Sequence, residues 1–236
     1  MFNLNNKDFY NITIKWEDSH KYSPAPRHRR RIIINTIKNL KFKSILDAGC
    51  AQPYLLDFFK NKRKLLFGCD ISSNVIKRNK EYFNEAQFEE LDISKEKYKS
   101  QDSFDLIICS EVLEHIDDWR SAVKNLAQMA NKYLLVTVPC GKIHKIDQMV
   151  GHVRHYSDDK LINEIEKNNL KILVNKKWGF PFHTIYKYSI NLINPENIYN
   201  EYAIGKYGSF QKLISNIVYI LFYINDVFSF GSQLII

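Results

Sequence analysis

The chain has 236 residues, 45% hydrophobic and 14% aromatic, which suffices for one large folded domain and argues against intrinsic disorder. Its 8 glycines and 6 prolines are too few for collagen-like or linker-like classes. The 34 Lys and Arg against 26 Asp and Glu give a formal charge of +8. Lys supplies 26 of these cations and is scattered, so the charge is weak evidence for a nucleic-acid or membrane partner.

Residues 1–43 are predicted to form an arm followed by a helix. Pro24 and Pro26 end the arm, and because closely spaced prolines favour extended backbone, residues 1–26 are expected to be irregular. Residues 28–40 carry apolar side chains at helical spacing.

From residue 44 onward, short apolar runs alternate with longer amphipathic segments. The predicted strands are residues 44–48, 64–69, 88–91, 104–109, 133–138 and 170–174. The predicted helices are residues 53–60, 73–82, 119–130 and 158–167. Residues 44–180 are therefore predicted to be an α/β core, a parallel sheet covered on both faces, which binds ligands at the carboxyl ends of its strands.

Residues 181–230 interrupt this alternation with an aromatic-rich segment, predicted to be helical over residues 210–228. Residues 231–236 are predicted to form the last strand, so residues 181–230 are an insertion within a single domain. The helix is apolar on all sides, which usually means burial. We therefore expect a lid over the substrate or a homodimer contact through residues 210–228, in preference to peripheral contact with a membrane.

The sequence predicts a cytoplasmic protein without a membrane span. Residues 1–10 are polar and lack the apolar core of a signal peptide. The most apolar stretch, residues 213–225, has 13 uncharged residues against the roughly 20 of a membrane span. The cysteines are expected to be small buried side chains, because no Cys-x-x-Cys pair suggests zinc or disulfides. They are Cys50, Cys69, Cys109 and Cys140.

Three acidic residues stand where predicted strands end. Asp47 precedes a tight turn that begins at Gly49. Asp70 ends the second strand, about 20 residues on, where an acid can accept hydrogen bonds from both hydroxyls of a ribose. Asp92 ends the third strand, where a carboxylate can accept from an adenine amino group. The segment FDLIICSEVLEHI follows at residues 104–116.

Together these segments resemble the class I S-adenosylmethionine-dependent methyltransferases over about residues 30–180. The resemblance implies a Rossmann-like seven-stranded mixed sheet whose last strand is antiparallel, and methyl transfer that leaves S-adenosylhomocysteine. The family's first turn usually reads Gly-x-Gly-x-Gly, whereas here Pro53 takes the last position, which lacks an N–H but suits the first turn of a helix. The implied cofactor-binding residues are Asp47, Gly49, Cys50, Ala51, Asp70, Ile71, Asp92, Ile93, Ser110 and Glu111.

Residues 151–157, GHVRHYS, resemble a loop of small-molecule methyltransferases of this class that often act in cell-surface glycan or lipid pathways. In the family this loop overhangs the methyl group. His152 could act as a general base for a hydroxyl, with His155 as a second candidate, because imidazole titrates near neutrality. Arg154 and Tyr156 could bind a phosphate or carboxylate, although Arg154 could equally hold the loop in place.

Glu111, Glu114 and His115 have the spacing of one helical face, so they could bind Mg²⁺ or Mn²⁺, with a fourth ligand from His152 or His155. The set resembles the metal site of small-RNA 3′-terminal 2′-O-methyltransferases and of ubiquinone-pathway O-methyltransferases. The same segment is also common in this fold without a known metal, and there Glu111 lies beside the cofactor.

Four of the eight arginines fall within five residues. Arg27, Arg30 and Arg31 share a helical face, whereas Arg29 is expected to point elsewhere. That face could bind the anionic group of a substrate or be a solvated basic surface. The arm residues that could close such a site are Trp16, His20 and Tyr22.

The sequence therefore predicts an S-adenosylmethionine-dependent methyltransferase that O-methylates a small phosphate- or carboxylate-bearing acceptor in glycan, capsule, polysaccharide or lipid biosynthesis. Two alternatives stay open: a metal-dependent RNA 2′-O-methyltransferase and a cofactor-free binding protein of the same fold. The sequence does not favour a nucleic-acid partner, because it shows nothing beyond general basicity to form an RNA groove.

Overall fold

The computed structural model describes residues 17–192 and 206–236, so Trp16 lies outside the described residues. The strands are β1 (Ser44–Ala48), β2 (Leu65–Asp70), β3 (Ala86–Glu90), β4 (Phe104–Ser110), β5 (Ala130–Pro139), β6 (Lys176–Trp178) and β7 (Gln233–Ile235). The helices are α1 (Glu17–Tyr22), α2 (Pro24–Ile37), α3 (Tyr54–Asp57), α4 (Ser73–Tyr82), α5 (Trp119–Met129), α6 (Lys145–Met149), α7 (Asp158–Lys167), α8 (Phe182–Leu192) and α9 (Ser209–Leu221). Two short 3₁₀ turns lie at Leu113–His115, after β4, and at Phe222–Val227, after α9.

The seven strands form one sheet in the order β3-β2-β1-β4-β5-β7-β6. Neighbouring strands are parallel except at β7, which runs antiparallel to both β5 and β6. The predicted mixed sheet with an antiparallel last strand is confirmed.

The sheet is covered on both faces because the central strands β1, β2, β4 and β5 carry apolar side chains on both sides. Ile33 and Ile37 of α2 belong to the apolar cluster on one face, and Leu126 of α5 and Leu161 of α7 belong to the other. All four are at most 1% exposed. Burying each such side chain contributes about 1.5–3 kcal/mol, which fixes α2 against the sheet.

The register of the sheet brings the ends of β1, β2 and β4 level. Ala48 pairs with Cys69 on one side and with Cys109 on the other. Gly49, Asp70 and Ser110 follow these residues in the chain, so they emerge at the same edge of the sheet. This edge holds the site described below.

Two predicted elements near the ends of the core are wrong. Residues 170–174 form no strand, since Leu173 is 70% exposed and has no apolar surface to cover. The strand lies at β6 instead, anchored by the fully buried Trp178. At the other end, the irregular arm is partly helical, because Pro24 and Pro26 occupy the first turn of α2, where a missing N–H costs nothing.

The insertion forms α8, α9 and the 3₁₀ turn that follows α9. The predicted helix over residues 210–228 is α-helical only as far as Leu221. One side of this helix is exposed in the single chain, since Phe210 is 73% and Ile220 is 65% exposed. The expected lid or homodimer contact stays a prediction. None of the described helices combines the length and the apolar character that crossing a bilayer requires.

Candidate functional site

A cavity of about 400 Å³ opens along the carboxyl ends of the parallel strands. The strand-end residues that line it include Gly49, Ala51, Asp70, Ile71, Asp92, Ile93, Ser110 and Glu111. Residues from α6, α8 and the loop after α6 that line it are Ile146, Asp147, Val150, His152, His183, Tyr186, Lys187 and Ile190. The cavity therefore joins two chemically different ends, one at the sheet and one at the insertion.

The turn after β1 is tight because the chain reverses directly above β2. The backbone N–H groups of Gly49 and Cys50 both donate to the carbonyl oxygen of Cys69, at 2.8 and 2.9 Å. Gly49 has a φ of +79°, and a Cβ there would collide with the side chain of Val112. Ala51 also has a positive φ, 40°, so the turn keeps its open backbone although the family's second glycine is replaced.

Asp70 and Asp92 present carboxylates into the cavity from the ends of neighbouring strands. Asp70 Oδ2 accepts from the N–H of Ala51 at 3.0 Å, and Oδ1 accepts from the N–H of Ser72 at 2.9 Å. Asp92 Oδ1 accepts from the backbone and hydroxyl of Ser94, at 3.0 and 2.6 Å. Asp92 Oδ2 also pairs with Lys95 Nζ at 2.9 Å. These contacts fix the two carboxylates, and each carboxylate keeps a further lone pair suited to a hydroxyl or amino donor.

Asp47 and Cys50 differ from the other predicted cofactor residues because they do not line the cavity. Both are buried behind the turn, 5% and 4% exposed. Burial, together with the nearby charge of Asp70, raises the pKa of Asp47 to about 7. Burial also raises the pKa of the Cys50 thiol, and all four cysteines are free and buried, as predicted.

Glu111 follows β4 with a φ of +56°, a conformation that costs a residue with a Cβ on the order of 1–3 kcal/mol. Its carboxylate accepts from Thr137 Oγ1 at 3.2 Å and lies 3.4 Å from Arg29 Nη2. Arg29 points away from the face of Arg27, Arg30 and Arg31, as expected, and this direction brings it to the cavity. Glu111 is not part of the cluster formed by Glu114 and His115, so the predicted three-ligand set is not assembled.

A cluster of Glu114, His115 and His152 stands in its place, with its ligand atoms within 4.8 Å of one another. The Nε2 atoms of both histidines lie 4.0 Å from Glu114 Oε1. His115 Nδ1 is 3.1 Å from the carbonyl oxygen of Gly151, which can only accept, so Nδ1 carries the proton and Nε2 the lone pair.

The same reasoning fixes the tautomer of His152 through His155. His155 Nδ1 is 3.2 Å from the carbonyl oxygen of Gly141 and donates to it, which leaves its Nε2 as an acceptor. His152 Nδ1, 3.1 Å away, donates to that Nε2. The Nε2 lone pair of His152 therefore faces Glu114, and burial lowers the pKa of His152 to about 2.

Glu114 is fully buried, and no described residue donates a hydrogen bond to either of its carboxyl oxygens. Burial and the charge of Glu111 raise its pKa well above the ordinary value. A buried carboxyl group without donors is costly unless a cation or a proton occupies the site. Two imidazole lone pairs and a carboxylate converge here, which is the ligand set of a divalent cation with open positions.

The far end of the cavity is formed by α6 and α8. Lys187 Nζ lies 3.1 Å from Asp147 Oδ2, and both side chains are close to 10% exposed. His155 Nε2 is 3.7 Å from the same carboxylate oxygen. Ile146, Val150 and Ile190 add apolar side chains to the lining of the same cavity. The end suits a largely apolar molecule that carries one anionic group.

Comparisons with known proteins agree with this arrangement. Residues 24–180 match the family model of a methyltransferase domain. The chain belongs to the class I S-adenosylmethionine-dependent methyltransferases. The ubiquinone biosynthesis O-methyltransferase of Coxiella burnetii is 30% identical over 132 residues, and the match covers 52% of each protein. The methyltransferase chain thus spans about half the length of the curated relatives it matches.

Solved structures share the fold at low sequence identity. Magnesium protoporphyrin IX methyltransferase of Synechocystis PCC 6803, crystallised with S-adenosylhomocysteine, is 17% identical, has a TM-score of 0.59, and covers 72% of this chain and 89% of its own. Phosphoethanolamine N-methyltransferase 2 of Haemonchus contortus, crystallised with S-adenosyl-L-methionine, is 15% identical, has a TM-score of 0.62, and covers 97% of this chain and 58% of its own.

The predicted arginine site is not at the cavity of the methyltransferase, because α9 covers that face of α2. Arg27 Nη1 donates to Asn216 Oδ1 at 2.7 Å, and Arg31 pairs with Asp226 at 3.0 Å. Arg30 Nη1 donates to the carbonyl oxygen of His20 at 2.8 Å. These three arginines fasten the insertion and α1 to α2, whereas Arg29 lines the cavity.

The side chains of Arg154 and Tyr156 likewise bond to backbone carbonyl groups and do not line the cavity. The guanidinium of Arg154 donates to the carbonyl oxygens of Ile116 and, at 3.1 Å, Asp117. Tyr156 Oη donates to the carbonyl oxygen of Leu113 at 2.9 Å. Both fix the 3₁₀ turn that carries Glu114. Of the two predicted catalytic histidines, His152 lines the cavity and His155 supports it.

Sequence reasoning missed Asp147, Lys187, His183 and Tyr186 as cavity residues. The last three lie on α8, within a segment predicted only as an insertion. The sequence feature that could have indicated Lys187 is its charge, because the rest of its helix, FHTIYKYSINL, is uncharged. No motif marks Asp147, and only the fold brings it beside His155.

Proposed function

We propose that this protein transfers the methyl group of S-adenosylmethionine to a hydroxyl oxygen of a small, largely apolar acceptor that carries an anionic group. The observation that carries the proposal is the continuous cavity, which runs from the strand-end carboxylates Asp70 and Asp92 to Lys187 on α8. The names of the curated relatives, O-methyltransferases of ubiquinone biosynthesis, support oxygen as the nucleophile. They do not support the glycan or polysaccharide acceptor expected from the sequence.

In this proposal the cofactor occupies the sheet end of the cavity. Asp70 accepts from the two ribose hydroxyls, and Asp92 with Ile93 receives the adenine, as expected from the sequence. The open turn at Gly49 lets the backbone approach the methionine portion closely. Arg29, at the same wall as Glu111, is the cation available to the methionine carboxylate. When bound, S-adenosylmethionine supplies a methyl group activated by the sulfonium.

Lys187 is the residue we propose to receive the anionic group of the acceptor. It is one of two cations that line the cavity within residues 17–192 and 206–236, and Arg29 at the sheet end is the other. Its partner Asp147 holds the ammonium group in position in a largely buried place. Ile146, Val150 and Ile190 favour an aromatic or aliphatic body over a sugar.

We also propose that Glu114, His115 and His152 hold a divalent cation, since the donorless carboxylate of Glu114 and the two lone pairs fit one. A cation held there would lower the pKa of a nearby acceptor hydroxyl. This role replaces the general-base role expected for His152, because a group whose pKa is near 2 takes a proton poorly. His155 acts as a positioning residue that fixes the tautomer of His152.

The transfer step is then a direct displacement. The ionised acceptor oxygen attacks the methyl carbon, an O–C bond forms, the C–S bond breaks, and S-adenosylhomocysteine leaves as a neutral thioether. The hydroxyl proton is released to water. The protein contributes chiefly by holding both reactants in line, which is a large part of catalysis for reactions of two substrates.

Replacing Lys187 tests the acceptor end. The wild type is expected to methylate a dihydroxybenzoate with a lower KM than the matching catechol without the carboxylate. Lys187→Met should raise KM for the dihydroxybenzoate about 10-fold or more, because a charge-assisted contact is lost. The variant should then no longer prefer the dihydroxybenzoate over the catechol. The measurement is methyl transfer from labelled S-adenosylmethionine. Lys177→Met, which removes a similar ion pair outside the cavity, is the matched control; equal KM values in all three proteins would contradict the proposal.

Removing Glu114 tests the cation site. Saturating Mg²⁺ or Mn²⁺ should raise the Tm of the wild type by roughly 5–10 °C, because a ligand that binds only the folded state stabilises it. Glu114→Gln should abolish this rise and the activity. Glu164→Gln, which changes a carboxylate paired with Arg120 outside the cavity, should keep both. Thermal scans with and without a chelator measure the effect. No rise in the wild type, or the same rise in Glu114→Gln, would exclude the site.

A further inference from the structure

The apolar residues of α9 and the following 3₁₀ turn form an exposed stripe at regular spacing. Phe210, Leu213, Ile217, Ile220, Ile224 and Val227 stand 3, 4, 3, 4 and 3 residues apart and are 44–75% exposed. The residues that widen the stripe, Ile214, Leu221 and Phe228, are 36–43% exposed and seven residues apart. An alternating spacing of three and four is typical of helices that pack along another helix.

The opposite side of the same segment already packs on the protein. Ser215, Phe222 and Asn225 are at most 7% exposed, and Arg27 and Arg31 of α2 hold Asn216 and Asp226. The exposed stripe is therefore a second apolar face. Its side chains keep 36–75% exposure within the structure.

The area of the stripe matches what a stable dimer needs. Nine large apolar side chains, each offering on the order of 100 Å², amount to roughly 900 Å². Standard interfaces bury about 800 Å² on each partner, whereas the largest apolar patch of a monomer is usually about 300–600 Å². Covering the stripe therefore requires a partner of at least comparable apolar area.

Charge favours a second copy over a lipid surface. Between residues 209 and 228 the charged side chains are Lys212 and Asp226. Lys212 lies over the ring of Tyr22, and Asp226 pairs with Arg31, so both are engaged on the covered side. Helices that lie in a membrane interface usually carry Lys and Arg along their polar face, which this one lacks. An apolar stripe without charges is self-complementary, as a twofold interface requires.

We propose that this stripe is the interface of a homodimer in which the segments at residues 209–228 of two copies pack together about a twofold axis. The centre of the stripe lies between Ile217 and Ile220, so these residues approach their own copies near the axis. The interface is independent of the cofactor and acceptor ends of the cavity, because its residues do not line the cavity.

Sedimentation velocity over a range of concentrations tests the proposal. The wild type is expected to dimerise with a micromolar or tighter Kd. The double variant Ile217→Lys/Ile220→Lys should weaken the dimer about 100-fold or more, because it buries two like-charged pairs at the axis. Leu173→Lys, which changes a side chain 70% exposed on a loop outside the stripe, should leave the Kd unchanged. Circular dichroism and S-adenosylhomocysteine binding check that the variants fold.

Cross-linking gives a second readout that does not depend on destabilising the dimer. Ile217→Cys should form an intermolecular disulfide under mild oxidation, whereas the wild type should not, since its four cysteines are buried. A wild type that stays monomeric at high concentration would overturn the proposal. So would a double variant as dimeric as the wild type, or a monomer that sediments with anionic phospholipid vesicles through this stripe.

Discussion

Asp70→Asn is expected to weaken S-adenosylhomocysteine binding by about 100-fold or more. The carboxylate is fixed at the end of β2 by the N–H groups of Ala51 and Ser72, and Asp70 lines the cavity with acceptor positions left over. In the proposed complex they receive both ribose hydroxyls. The amide replaces one acceptor oxygen by an NH₂ group, so one ribose hydroxyl faces another hydrogen-bond donor. Two charge-assisted hydrogen bonds, each about 1.5–3 kcal/mol, are therefore lost or weakened.

Isothermal titration measures this effect, and Glu89→Gln is the matched control. Glu89 lies on the adjacent strand β3 and binds Lys99 and Ser100 outside the cavity, so its removal should leave affinity unchanged. Equal affinities for Asp70→Asn and the wild type would show that the cofactor does not bind at this carboxylate.

Asp47→Asn is expected to stabilise the protein at pH 8, and by a clearly smaller amount at pH 5. The pKa of Asp47 in the folded state is about 7, against an ordinary value of 3.8. Between pH 3.8 and pH 7 the folded protein therefore keeps a proton on Asp47 that the unfolded chain has lost. Stability therefore falls as the pH rises from about 4 to 7. Asn has nearly the shape of the protonated acid and does not ionise, so it avoids the cost of a buried charge. The expected gain in the free energy of unfolding at pH 8 is about 2–4 kcal/mol, or roughly 5–10 °C in Tm.

Thermal unfolding at several pH values measures this gain, and Asp105→Asn supplies a control of opposite sign. The Lys43 N–H that donates to Asp105, together with Lys132, lowers the pKa of Asp105 to about 2. Its ionised form therefore stabilises the folded state above about pH 4, and Asp105→Asn should lower the Tm at neutral pH. A Tm difference for Asp47→Asn that is the same at pH 5 and pH 8 would refute the argument from burial.

The sheet and the cofactor end could be predicted from sequence because their determinants are local. The apolar runs set the strands, and parallel pairing brings the residues after each run to one edge. Gly49, Asp70 and Asp92 therefore had to meet at that edge wherever the helices lay. The positive φ of Glu111 could not be predicted from the sequence. This backbone conformation interrupts the helix expected there, so Glu111 does not share a face with Glu114 and His115.

The acceptor end depends on contacts between distant segments, which the sequence does not reveal. Arg29, rather than its neighbours, lines the cavity because α9 packs on the opposite face of α2 and engages Arg27 and Arg31. Lys187 meets Asp147 only because α8 folds back over α6. Both outcomes follow from the docking of the insertion, which has no motif of its own.

A structure of the complex with S-adenosylmethionine tests the central claim most directly. The proposal predicts the ribose on Asp70, the adenine beside Asp92, and the methyl group directed toward the end of the cavity formed by His152 and Lys187. A cofactor whose methyl group faces away from that end would contradict the proposed acceptor site. No binding at saturating cofactor would contradict the methyltransferase account and support a cofactor-free protein of the same fold.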